Sequence, residues 1–208
     1  MKGVLILPLT IAFSVLTMGQ HLPAFRVNAI EIKGKTAFQT EKMKRAAYIF
    51  EKVLNDPEFH KELGTKTFKS DREDDLVPDP TAGLVIEKIY AAAELYKPEP
   101  NNTADIYWYA EKKSFWKRLT GKCETIGYGY PGEKKIFTYT CLIEEEGSLA
   151  ELAGNLAHEW SHKLGFKHRA EDHSEKYDTV PYVFGDLVEE HAARLIAAET
   201  VRFSKGRH

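Results

Sequence analysis

The 208-residue chain predicts an α+β domain with a mixed sheet, and three observations do so. Apolar residues recur at helical spacing in two stretches of the first half. Strand-like text follows, with a turn at Pro131-Gly132. A capped helical run then opens at Leu149. The order is helices, strands, helices, rather than a regular alternation of strand and helix.

The chain opens with Lys2 and an apolar run from Val4 to Met18. That pattern is a secretory signal peptide, short for a membrane span. Cleavage is expected after Gly19, with Thr17 at the −3 place, or after Ala29 in "VNA". No cysteine ends the run, so no lipid anchor is expected. Residues 1–29 are therefore set aside as leader, and 30–208 are read as one domain. Its segment 30–100 is mainly helical, and 101–208 carries the chemistry. The product is expected to be secreted or periplasmic, a monomer, without stable membrane association once the leader is removed.

From Ala37 to Asn55, Met43, Ala46, Ala47, Phe50, Val53 and Leu54 mark one helix face. Asp56-Pro57 starts a short second helix that stops near Gly64. "SDREDDLVPDPTAG" reads as a solvated acidic loop, without the patterned ligands of a calcium loop. Thr81 caps a third helix, whose apolar face is Val85, Ile86, Ile89, Tyr90 and Ala93. "ADIYWYA" is a strand, "EKKSFWKRLTGK" a polar connection, and "TIGYGY" and "KKIFTYTCLI" form a hairpin about Pro131-Gly132.

The formal net charge of −2 lacks the basic excess that phosphate contacts need, which argues against a nucleic-acid partner. The two cysteines, Cys123 and Cys141, fall nearly opposite each other across the hairpin. In an exported chain they suggest one disulfide, worth roughly 3 kcal/mol by loop entropy.

Ser148 and Glu151 form an S-x-x-E capping box, so a helix begins at Leu149. Leu149, Leu152, Ala153, Leu156 and Trp160 share one face. His158 and His162 share the opposite direction, one turn apart, where two imidazoles reach one ion. Glu159 stands beside the first ligand, in reach of a water on that ion. A straight helix would carry residue 168 too far along its axis. Gly165 ends the helix, and the chain can return His168 toward the metal.

"HEWSHKLGFKH", residues 158–168, fits H-E-x-x-H-x-x-G-x-x-H at every fixed position and resembles the metzincin superfamily of zinc peptidases. "AHEWSHKLGFKH" also resembles small exported bacterial metallopeptidases. The resemblance implies a small zincin-like domain that binds Zn2+ through His158, His162 and His168. It implies Glu159 as general base for peptide hydrolysis, with a C-terminal helix after the active-site helix. Residues 30–100 are not covered by it.

The chain departs from the family at the methionine turn beneath the metal. Its methionines are Met1, Met18 and Met43. In that place stands "DTVPYVFGD", residues 178–186, where Pro181 suits a tight turn and Val180, Val183 and Phe184 suit an apolar floor. Astacin-like and serralysin-like members have a tyrosine after this turn. By its place, Tyr182 is either an oxyanion donor or a tyrosine packed in the floor.

An extended protein or peptide substrate is expected to pair with a strand edge, at 135–143 or 125–130. A gluzincin-like third ligand, Glu189 or Glu190, would leave Gly165 and His168 without a purpose. His173 and His191 read as surface or helix residues, and Asp172 as a loop acid or a partner for a ligand histidine. The alternatives in function are a zinc amide hydrolase acting on cell-wall peptides and a catalytically silent zinc-containing binding module.

Overall fold

The computed structural model describes residues 24–70, 78–113, 127–168 and 176–205. Most of the expected leader, the heart of the acidic loop, the connection with Cys123, and Asp172 with His173 lie outside the described residues. The described elements are β1 (Arg26–Lys33), α1 (Ala37–Leu54), α2 (Pro57–Leu63), α3 (Ala82–Ala91), β2 (Thr103–Glu111), β3 (Gly127–Gly129) and β4 (Lys135–Tyr139). They continue with α4 (Thr140–Glu144), α5 (Leu149–Ser161), two 3-10 turns (His162–Leu164 and Lys176–Asp178) and α6 (Val180–Lys205). None of the described helices is long and apolar enough to cross a membrane.

The sheet is mixed, in the order β1-β2-β4-β3. β1 and β4 run parallel to β2, and β3 runs antiparallel to β4. β2 alternates as period 2 requires: Ala104, Ile106, Trp108 and Ala110 are buried on the inner face, while Tyr107 and Tyr109 lie on the other. The inner face packs against α1 and α5, and α6 lies across α5. Trp160 of α5 is the hub, with edge-to-face contacts to Phe25 at 5.7 Å and Phe50 at 5.8 Å. Such pairs add about 0.5–1.5 kcal/mol each beyond burial.

The three predicted N-terminal helices form where the periodicity put them. Thr36, Asp56 and Thr81 cap them by accepting from Gln39, Glu58 and Leu84 amides. Four details depart from the sequence reading. First, a strand precedes α1: β1 spans Arg26–Lys33, so Val27–Ala29 belong to the sheet. A cut after Ala29 would sever β1 and remove the buried Phe25, whereas a cut after Gly19 leaves both intact.

Second, the hairpin pairs as expected, Tyr128 opposite Phe137, but β4 stops at Tyr139 and Cys141 lies in the helical turn α4. No described cysteine is free. Third, α5 begins at Leu149, yet Ser148 does not close a capping box. Its hydroxyl donates backward to the Leu142 and Glu145 carbonyls. Fourth, residues 180–186 are no tight turn. They open the long helix α6, with Pro181 in its first turn, where the missing N–H costs nothing. Val180 and Phe184 are buried there, as an apolar floor requires.

Candidate metal centre

Helix α5 carries His158 and runs into the 3-10 turn that begins with His162. Gly165 then takes φ 93°, the left-handed conformation that a side chain would strain. The chain reverses there, and His168 comes back beside the other two. Candidate ligand atoms of His158, His162 and His168 all lie within 4.8 Å of one another, the one such group among the described residues.

The chemistry of the donors fits a metal. His162 Nδ1 lies 2.7 Å from the Phe166 carbonyl, which turns Nε2 toward the common centre. A ring N–H of His158 donates to the Pro181 carbonyl. Burial and the neighbouring imidazoles hold His158 down at about 3 and His162 at about 4. Both are neutral at physiological pH, with a lone pair available, as a cation requires.

Glu159 is buried on the strand-facing side of α5. Burial raises its carboxyl well above the ordinary range; the Lys163 ammonium and a hydrogen bond from the Gly129 N–H oppose that shift. Its environment is thus a nearly dry pocket with one donor and one cation. That suits a group exchanging protons near neutral pH.

Tyr182 sits in the first turn of α6 with its ring centroid 4.7 Å from His158 and 5.5 Å from His168. Tyr177 packs edge-on against Tyr182 at 5.0 Å. Tyr177 also lines a cavity of about 580 Å³, bounded by Val183, Leu187 and the carboxylates Asp186, Glu189 and Glu190. Glu189 and Glu190 are not in the ligand group. Glu189 packs against Gly154, and Glu190 pairs with Arg194. His191 is buried between α6 and α2, 3.0 Å from Glu62, away from the triad.

Two features went unread in the sequence. One is the crossing of α5 and α6 at Gly154 and Gly185. A Cβ at Gly154 would stand 2.8 Å from the Gly185 carbonyl, and one at Gly185 3.0 Å from His158 Cβ. The bare backbones let α6 deliver Tyr182 and the Pro181 carbonyl to His158. The other is a polar stripe at i, i+4, i+8 along α5 and the 3-10 turn that continues it: Asn155, Glu159 and Lys163, all buried against β3 and β4. The matching signal was "GYG" at 127–129, glycine at both positions that face the stripe.

β4 is paired on both sides, so 135–139 offers no edge, and among the described strands β3 is the outermost one beside α5. No family model matches the chain, and no curated protein and no solved structure matches it.

Proposed function

We propose that this chain is an exported zinc metallopeptidase with a zincin-like catalytic domain, similar to the metzincins. The observation that carries the reading is the convergence of His158, His162 and His168 on one centre, with the buried Glu159 on the adjoining turn. Three convergent imidazoles, two of them held neutral with a carbonyl behind each, suit zinc. Bound there, zinc supplies a Lewis acid for the scissile carbonyl and for water.

The chain's own residues supply the remainder. Glu159 takes the proton of the attacking water and passes it to the leaving amine. The Gly129 N–H orients that carboxylate from the edge strand. Tyr182, beside two of the ligands, directs its phenol to the oxyanion as it forms. An extended substrate adds to the outer edge of β3, which has no neighbour among the described residues. The cavity beyond Tyr177 gives room for a substrate side chain. The apolar leader "VLILPLTIAFSVLTM" supports secretion or periplasmic export.

The deciding experiment compares purified protein with Glu159→Gln on an unfolded protein and on peptidoglycan, with zinc content measured in both. Proteolysis by the first, a loss of at least about 10²–10⁴-fold in the second, and one zinc in each is the expected result. Hydrolysis of peptidoglycan alone would move the substrate to cell-wall amides. Equal zinc with no hydrolysis by either would leave a zinc-containing binding module.

A further inference from the structure

Lys163 follows the second histidine of the triad and has no solvent exposure. An ammonium in that position costs several kcal/mol to desolvate, so packing alone would favour Met or Leu. Its donors show what offsets the cost. Nζ donates to the Tyr130 carbonyl at 3.0 Å and to the Lys135 carbonyl at 2.9 Å. Tyr130 directly follows β3, and Lys135 opens β4. One cation on the histidine-bearing segment therefore holds both stems of the hairpin turn.

β3 needs such a tether. Three of its residues are described, and among the described residues it pairs with β4 alone. Gly129 at its end is pressed against the same groups. A Cβ there would lie 3.2 Å from Lys163 Nζ and 3.3 Å from Glu159 Oε2. The Gly129 N–H reaches the Glu159 carboxylate. Edge strand, carboxylate and lysine thus form one buried network.

We propose that Lys163 is a positioning residue that clamps the β3–β4 hairpin to the histidine-bearing helix and sets where an extended peptide docks relative to Glu159. The second half of this inference rests on the peptidase reading; the clamp itself does not. Lys163 is not in the candidate ligand group, and its hydrogen bonds go to the hairpin carbonyls, while its charge alone acts on Glu159. Its removal therefore loosens docking and leaves the metal site filled.

The test uses the full zinc-loaded chain as wild type, Lys163→Met and Lys163→Arg. Amide exchange over residues 127–139 is followed by mass spectrometry beside zinc content. KM and kcat are measured for a short and a long extended peptide. In Lys163→Met the hairpin amides exchange about tenfold faster or more, with zinc retained. The advantage in KM that the long peptide has over the short one disappears, while kcat on the short peptide falls less. Lys163→Arg, which keeps charge and donors, restores protection and part of the length dependence.

Unchanged hairpin exchange in Lys163→Met overturns the clamp, whatever the activity. Faster exchange with the length dependence intact overturns the positioning role. If Lys163→Met fails to fold, Gly129→Ala is read in its place, since the added Cβ presses on Lys163 Nζ and shifts the hairpin with the cation kept. Should wild type cleave nothing, the peptidase reading fails while the exchange data still decide the clamp.

Discussion

Tyr182 holds its ring 4.7 Å from that of His158, nearly perpendicular to it at 81°. A ring so placed either walls the proposed metal site or brings a hydroxyl to the proposed reaction. Tyr182→Phe separates the two roles, because it keeps the ring and its contacts. With the hydroxyl as oxyanion donor, kcat falls about 10²-fold while zinc content and KM hold. Unchanged kcat would make Tyr182 a wall. The sequence placed this residue by analogy with a turn, yet the first turn of α6 delivers it. The same limit hid Lys163. A lysine in "HKLG" reads as solvated, and only the hairpin carbonyls overhead give it partners. The three histidines were legible because their geometry is local: one helical turn and one left-handed glycine.

At the scale of elements, the site depends on how closely α5 and α6 approach. Gly185 faces the Cβ of His158 at 3.0 Å and the Gly154 carbonyl at 3.1 Å for any added Cβ. Neither neighbour is the end of a flexible side chain, so Gly185→Ala must part the helices. The expected cost is about 1–3 kcal/mol of stability, read by urea unfolding. Zinc affinity falls with it, read by competition with a chelator, since His158 moves relative to the Pro181 carbonyl. Gly132→Ala is the comparison: a Cβ there meets nothing, and its cost is the φ of 80° alone. Helices were the legible elements, since α1 and α3 show their buried faces at a period of 3.6. β1 was not. It is exposed along most of its length and follows an apolar N-terminal run, so neither alternation nor a boundary marks it. Its place comes from β2 and from α1, where Glu51 accepts from the Val27 amide.

Across the whole molecule, one carboxyl joins the loop after α3, the sheet and the histidine-bearing helix. Glu94 is fully buried, and its Oε1 accepts from the Asp105 amide at 2.9 Å and from Trp160 Nε1 at 3.2 Å. Its Oε2 has no hydrogen-bond partner among the described residues. Burial raises the Glu94 pKa, and the Asp105 charge adds to it; the two donors oppose. Lys97 pairs with Asp105 at 2.7 Å and offsets part of that charge. A carboxyl raised on folding binds its proton more tightly in the native state than in the unfolded chain. Its contribution is therefore full below the unfolded value of about 4.3 and is lost as pH rises through the raised native value. Glu94→Gln keeps Oε1 with both of its donors and carries no titrating proton. Measured by urea midpoints from acid to neutral pH, the variant gains on wild type as pH climbs through that window. The other raised carboxyls, Glu151, Glu159, Asp186 and Glu189, are common to both proteins and cancel in the difference. Parallel curves would mean that Glu94 keeps one protonation state throughout. In that case the unpartnered oxygen is held by packing of the loop against Trp160, and the pH dependence of the fold belongs to other groups, the buried Glu159, His158 and His162 among them.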